Sequence, residues 1–214
     1  MGVPDRPVAV GTDRSRVAAA GSALCSIGGT VAVTFAVVAG PGPGLSGYVS
    51  EAGIVGSPYA LAYRIGVLVL AAALLLLAAA LPPALRPAAA LLAAGGLATM
   101  LSGAVTCSDG CPLPPFERAT VADLVHGGAS IAAVAAVAFA MLMMLRTPAA
   151  GRTLSGLATV AALVTFPLAA AVGLAMLTVG RGALVSTLER LLLAVTIGWG
   201  FTTAVLIGCS RLRL

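Results

Sequence analysis

Long apolar runs alternate with short polar breaks along the whole chain. The runs cover about 17–40, 59–81, 88–105, 121–145, 154–179 and 187–209. A helix needs about 20 apolar residues to cross the hydrocarbon core of a bilayer, so each run reads as a membrane span. The breaks carry the punctuation of helix ends. Ser57-Pro58 places a hydroxyl cap before a proline at the first helical position. Thr120-Val121-Ala122-Asp123 and Ser186-Thr187-Leu188-Glu189 both match the capping box. Thr153 is placed to cap the fifth span, Gly180-Arg181-Gly182 to end it, and Pro167 to kink it. The pattern predicts an all-α fold: a polytopic six-transmembrane-helix bundle with both termini on one side.

Residues 17–210 form a single transmembrane domain in this reading, because lipid tolerates no unpaired backbone between spans. Residues 1–16 are a polar, disordered leader and 211–214 a short tail. The first run is longer than the 7–15-residue apolar core of a signal peptide and reads as a retained span.

Composition sharpens this picture. The chain is 60% hydrophobic and 9% charged over 214 residues, against about 25% charged in a soluble domain. Mean hydropathy is +1.09. The net charge of +5 is no nucleic-acid patch, since the arginines are scattered near segment ends; no nucleic acid is expected as a partner. Placed against the spans, Arg6, Arg14, Arg16, Arg86, Arg146, Arg152, Arg211 and Arg213 fall on the side of the termini. Arg118, Arg181 and Arg190 fall on the other. By the positive-inside rule both termini are cytoplasmic, and the loop 106–120 is extracytoplasmic.

That loop and the helix after it concentrate the chemistry of the chain. Residues 107–126 hold two of the four cysteines, three of the seven carboxylates and the one histidine. Cys107 and Cys111 read as a disulfide in an oxidising compartment. A metal centre needs further ligands at suitable spacing, and none is expected. One histidine cannot supply a bis-His haem site, and no dinucleotide or phosphate-loop pattern is present; no cofactor is expected.

Ionisable residues within a span are costly and are functional candidates. His126 lies three residues after Asp123, on the same helix face. The pair reads either as acid–base chemistry, with Asp123 orienting His126, or as structure, with Asp123 closing the capping box and His126 bonding a neighbouring helix. Arg64 lies about 9 Å below the start of the second span at 1.5 Å per residue. It is expected to pair with Glu51, Asp123 or Glu189, since a buried arginine needs an anion, or to snorkel to headgroups. Glu51, Arg64, Asp123 with His126, and Glu189 with Arg190 thus share one membrane depth. They are expected to converge as a rim pocket, with His126, Asp123, Glu51 and Glu189 as candidate catalytic groups and Ser50, Arg64 and Arg190 as candidate ligand-binding groups.

The layout resembles a known family. Ser50-Glu51 before the second span, Asp123-Leu124-Val125-His126 opening the fourth and Glu189-Arg190 opening the sixth resemble the bacterial six-span family catalogued as domain of unknown function nine-nine-eight. The resemblance covers about residues 17–210. It implies six helices and no established activity, and marks Ser50, Glu51, His126, Glu189 and Arg190 as recurring polar positions. The Cys107–Cys111 loop departs from the family pattern.

The functional expectation is an integral protein of a bacterial cytoplasmic membrane whose outward-facing polar pocket binds a lipidic or amphipathic small molecule, with His126 as acid–base group if it is an enzyme. The alternative is a small transporter, which needs polar or broken midplane helices, or an accessory subunit of a membrane complex. The small-residue face of Gly128, Ala132, Ala135 and Ala136 would meet a protein partner or a second copy. Membrane lipids are expected partners in either case.

Overall fold

The computed structural model describes residues 13–40 and 46–209. Positions 1–12 of the expected leader and the tail at 211–214 lie outside the described residues, and with them Arg6, Arg211 and Arg213. Six helices are present: α1 (Asp13–Ala39), α2 (Ala60–Ala80), α3 (Arg86–Ala104), α4 (Val121–Arg146), α5 (Gly151–Thr178) and α6 (Ala183–Cys209). Each helical segment is long and apolar enough to cross a membrane. No strand occurs among the described residues.

Successive helices pack side by side, and α6 returns to α1, closing a ring. α6 also touches α2 and α4, which draws it inward. Its stripe Leu192, Thr196, Trp199, Thr203 and Ile207 is buried accordingly. Small residues bring the backbones together. A side chain at Gly29 of α1 would lie 2.8 Å from the Gly66 carbonyl of α2, so neither helix could keep its place with an alanine there. The main core, with Leu77, Leu85, Leu92, Met141, Met144 and Trp199, fills the half of the bundle away from the disulfide loop. The perimeter exposes Val31, Phe35, Leu61, Ile131, Phe139, Leu163 and Leu174. In water such a surface would aggregate; in lipid it is solvated.

Three helix-end expectations need correction. α6 begins at Ala183, and the Ser186 N–H donates to the Gly182 carbonyl at 3.0 Å. Ser186 is therefore already helical, and Ser186–Glu189 is no capping box. Thr153 lies two residues inside α5. Ser57 contributes its carbonyl to a turn before α2, accepting from Ala60 N–H at 3.1 Å, while Tyr59 holds the cap position. Pro167 lies within α5. At α4 the capping box does form: Thr120 Oγ1 accepts from the Asp123 N–H, and the Asp123 carboxylate accepts from the Thr120 N–H.

Candidate functional site

The polar side chains of the disulfide end fall into two groups. The first lies where α3 ends and α4 begins. Asp123 is 1% exposed, yet every donor it needs is close by. Its carboxylate accepts from the Ser108 N–H (2.7 Å), the Ser108 hydroxyl (2.9 and 2.8 Å), the Thr120 N–H (2.8 Å) and the Thr120 hydroxyl (2.7 Å). Ser108 is in the disulfide loop, so one carboxylate stitches that loop to the start of α4.

His126 is turned the other way. Its Nδ1 lies 2.9 Å from both the Ser102 and Val105 carbonyls. Carbonyl oxygens only accept, so Nδ1 carries the proton and donates. The last carbonyls of a helix lack partners within it, and His126 supplies one to the end of α3 from the neighbouring helix. The Ser102 hydroxyl, 2.8 Å from Ser130 Oγ, adds a second α3–α4 link. Of the two readings of Asp123 and His126, the contacts are those of the structural one: Asp123 bonds Ser108 and Thr120, and His126 bonds α3.

The second group joins the 3-10 turn Val49–Gly53 to the start of α6. Glu51, 6% exposed, accepts from the Tyr48 N–H (2.9 Å), from Arg181 Nε (2.9 Å) and from Arg181 Nη2 (2.5 Å). A bidentate arginine–carboxylate pair is geometrically specific as well as charge-assisted. Glu189 accepts from the Val49 N–H at 3.1 Å. Arg190 donates to the Gly47 carbonyl (2.9 Å), the Ser186 carbonyl (2.9 Å) and the Ser186 hydroxyl, and Ser186 donates to Gly47 at 2.8 Å. The Ser50 hydroxyl reaches Cys111 Sγ at 3.3 Å, and Cys111 is disulfide-bonded to Cys107. The turn is thus clamped between α6 and the disulfide loop.

Gly180 aims Arg181 into this clamp. Its φ of 74° is left-handed, which glycine adopts without strain, and its N–H returns to the Ala175 carbonyl at 3.1 Å, stopping α5. The Phe116 ring lies against it, and a side chain at Gly180 would meet that ring at 2.9 Å.

Between these parts lies a cleft of 260 Å³ lined by Tyr48, Leu113, Phe116, Glu117, Met176, Val179, Gly180 and Arg181. Ligand pockets usually span ~300–1,000 Å³, so the cleft is small by that measure. Hydrogen bonding to Glu51 raises the Arg181 guanidinium above its usual pKa against the opposing effect of burial. Burial pushes the Tyr48 phenol up, helped by Glu189 and Glu117, so it stays a donor. Among the described residues no three of His, Cys, Asp or Glu come together as a metal site.

Of the residues expected to converge, Ser50, Glu51, Glu189 and Arg190 do so around the turn. Asp123 and His126 form a separate network. Arg64 forms no ion pair with Glu51, Asp123 or Glu189, and its Nε is enclosed without a hydrogen-bond partner, which corrects the pairing expectation. Three cleft residues, Tyr48, Glu117 and Arg181, were not singled out from sequence. The available signal was Arg181 between two glycines at the end of a span. On the proposed small-residue face of α4, Ala136 packs toward Gly95 of α3, while Gly128 and Ala132 stay on the exposed perimeter.

An all-helical chain whose six segments are each long and apolar enough to span a bilayer, with its charged residues near the helix ends, is a multi-pass membrane protein. Within that class the chain belongs to the family described as Protein of unknown function (DUF998), whose model matches residues 10–206. No curated protein and no solved structure matches it.

Proposed function

We propose that this protein binds the head of an amphipathic or lipidic molecule in the cleft beside Arg181. One observation carries the reading: a single 260 Å³ cleft joins polar Tyr48, Glu117 and Arg181 to apolar Leu113, Phe116, Met176 and Val179. Val179 is 60% exposed beside α5, so a chain attached to the bound head would run onto a lipid-facing helix. Binding is favoured over acid–base catalysis by His126, because His126 does not line the cleft. This rim is proposed to face the oxidising side of the membrane. The Cys107–Cys111 disulfide supports that placement, and Arg14, Arg16, Arg86, Arg146 and Arg152 lie at the opposite end of the bundle.

The test is native mass spectrometry of the protein in maltoside micelles, titrated with lauroyl-lysophosphatidylethanolamine. The wild type is expected to take up one molecule saturably. Met176→Trp, which puts an indole into the cleft, and Val179→Trp at its exposed edge are expected to lose it while keeping native helicity by circular dichroism. Equal uptake by wild type and both variants, or none by the wild type, rejects the reading.

A further inference from the structure

The charge of the cleft says more about its ligand, resting on the reading just given. Arg181 is the cation of the site, yet two of its three nitrogens already serve Glu51. Glu51 neutralises it. Glu117 also lines the cleft, is exposed, and has no ion pair or hydrogen bond from its carboxylate to any described residue. Of the charged groups that line the cleft, with Glu51 behind Arg181, two are acids and one is a base. An anion entering here would meet an arginine that is already paired and a carboxylate that repels it. A cation would meet an unpaired carboxylate. Arg181 Nη1, the nitrogen that Glu51 leaves unused, offers a donor to a neutral or anionic oxygen of the same molecule.

We infer that the ligand's head carries a primary ammonium group held by Glu117, next to an acceptor oxygen held by Arg181 Nη1. The apolar wall of Leu113, Phe116, Met176 and Val179 takes the first carbons of its chain. Two sources share this chemistry: an aminophospholipid of the surrounding bilayer, and a free long-chain amine.

Three probes separate the outcomes in the same titration: lauroyl-lysophosphatidylethanolamine, lauroyl-lysophosphatidylglycerol and dodecylamine. The ethanolamine head is expected to bind about tenfold tighter than the glycerol head, the effect of one charge-assisted contact at a solvent-accessible site. Glu117→Gln, a change on an exposed loop, is expected to erase that preference. Dodecylamine binding as tightly as the lysolipid, and dependent on Glu117, identifies a free amine as the source; much weaker binding identifies the aminophospholipid. Equal midpoints for the two lysolipid heads, or a preference that survives Glu117→Gln, overturn the ammonium inference and leave the cleft intact. Failure of every probe to bind the wild type overturns the cleft itself.

Discussion

At one edge of the disulfide rim Asp123 is satisfied by donors 3 and 15 residues away; at the other, Glu51 is paired with an arginine 130 residues away. Both carboxylates are enclosed. Their surroundings differ in what they leave over. At the α4 edge Asp123 uses both oxygens on one loop, His126 donates from Nδ1 to the end of α3, and neither lines the cleft. The α6 edge closes on Glu51 but leaves one nitrogen of Arg181 and the carboxylate of Glu117 beside a cleft. Buried ionisable residues at equal depth are thus not equal candidates. A group whose partners are local builds the fold. A group whose partners come from distant spans builds the fold and can also face a ligand where spans meet imperfectly.

The largest test of this contrast removes the Asp123 network. Asp123→Ala strands the N–H groups of Ser108 and Thr120 and is expected to cost about 3 kcal/mol, the range for losing a buried charged acceptor. SDS-driven unfolding read by the fluorescence of Trp199, the single tryptophan of the chain and only 3% exposed, measures it. A loss below about 1 kcal/mol would mean that the disulfide loop is held by something other than this carboxylate.

His126→Ala comes next. It removes the cap on α3 and leaves a cavity, for an expected loss of about 2 kcal/mol in the same unfolding assay. Lysolipid uptake by the cleft is expected to stay within twofold of wild type. Stable protein that no longer takes up the probe would move the ligand site to the α4 edge and dissolve the contrast.

The two edges also differ in how readable they were from the sequence. Six spans were visible because length and hydropathy are local properties. The Thr120–Asp123 box was readable because both partners lie within one helical turn. Ser186–Glu189 spells the same motif and does something else: Ser186 reaches Gly47 and Glu189 reaches Val49, 139 and 140 residues away. A four-residue pattern carries no information about such partners, and tertiary capture overrode the local preference. The Glu51–Arg181 pair was hidden for the same reason. Its trace was global, since acids outnumber arginines on the disulfide side of the chain, so an arginine there could be expected to find one of them. Arg64 was matched to acids that take other donors in the folded ring, which pairwise reading of a sequence does not register.

The smallest expected effect isolates the long-range clamp. A double-mutant cycle of Glu51→Gln and Arg181→Gln measures the pair itself, free of the other changes each substitution makes. Glu51 is 4% exposed at its side chain and Arg181 38%. Solvent therefore screens one end, and the coupling is expected at about 1 kcal/mol, below a fully buried bidentate pair and at the upper end for exposed ones. Asp123→Asn combined with Arg181→Gln is the control, expected to be additive within about 0.5 kcal/mol because the two residues share no partner. A Glu51–Arg181 coupling no larger than the control would leave the turn held by Arg190, Ser186 and Glu189 and by the Ser50–Cys111 contact. Arg181 would then be free to rotate out of the cleft, and the charge balance that selects an ammonium head would no longer hold.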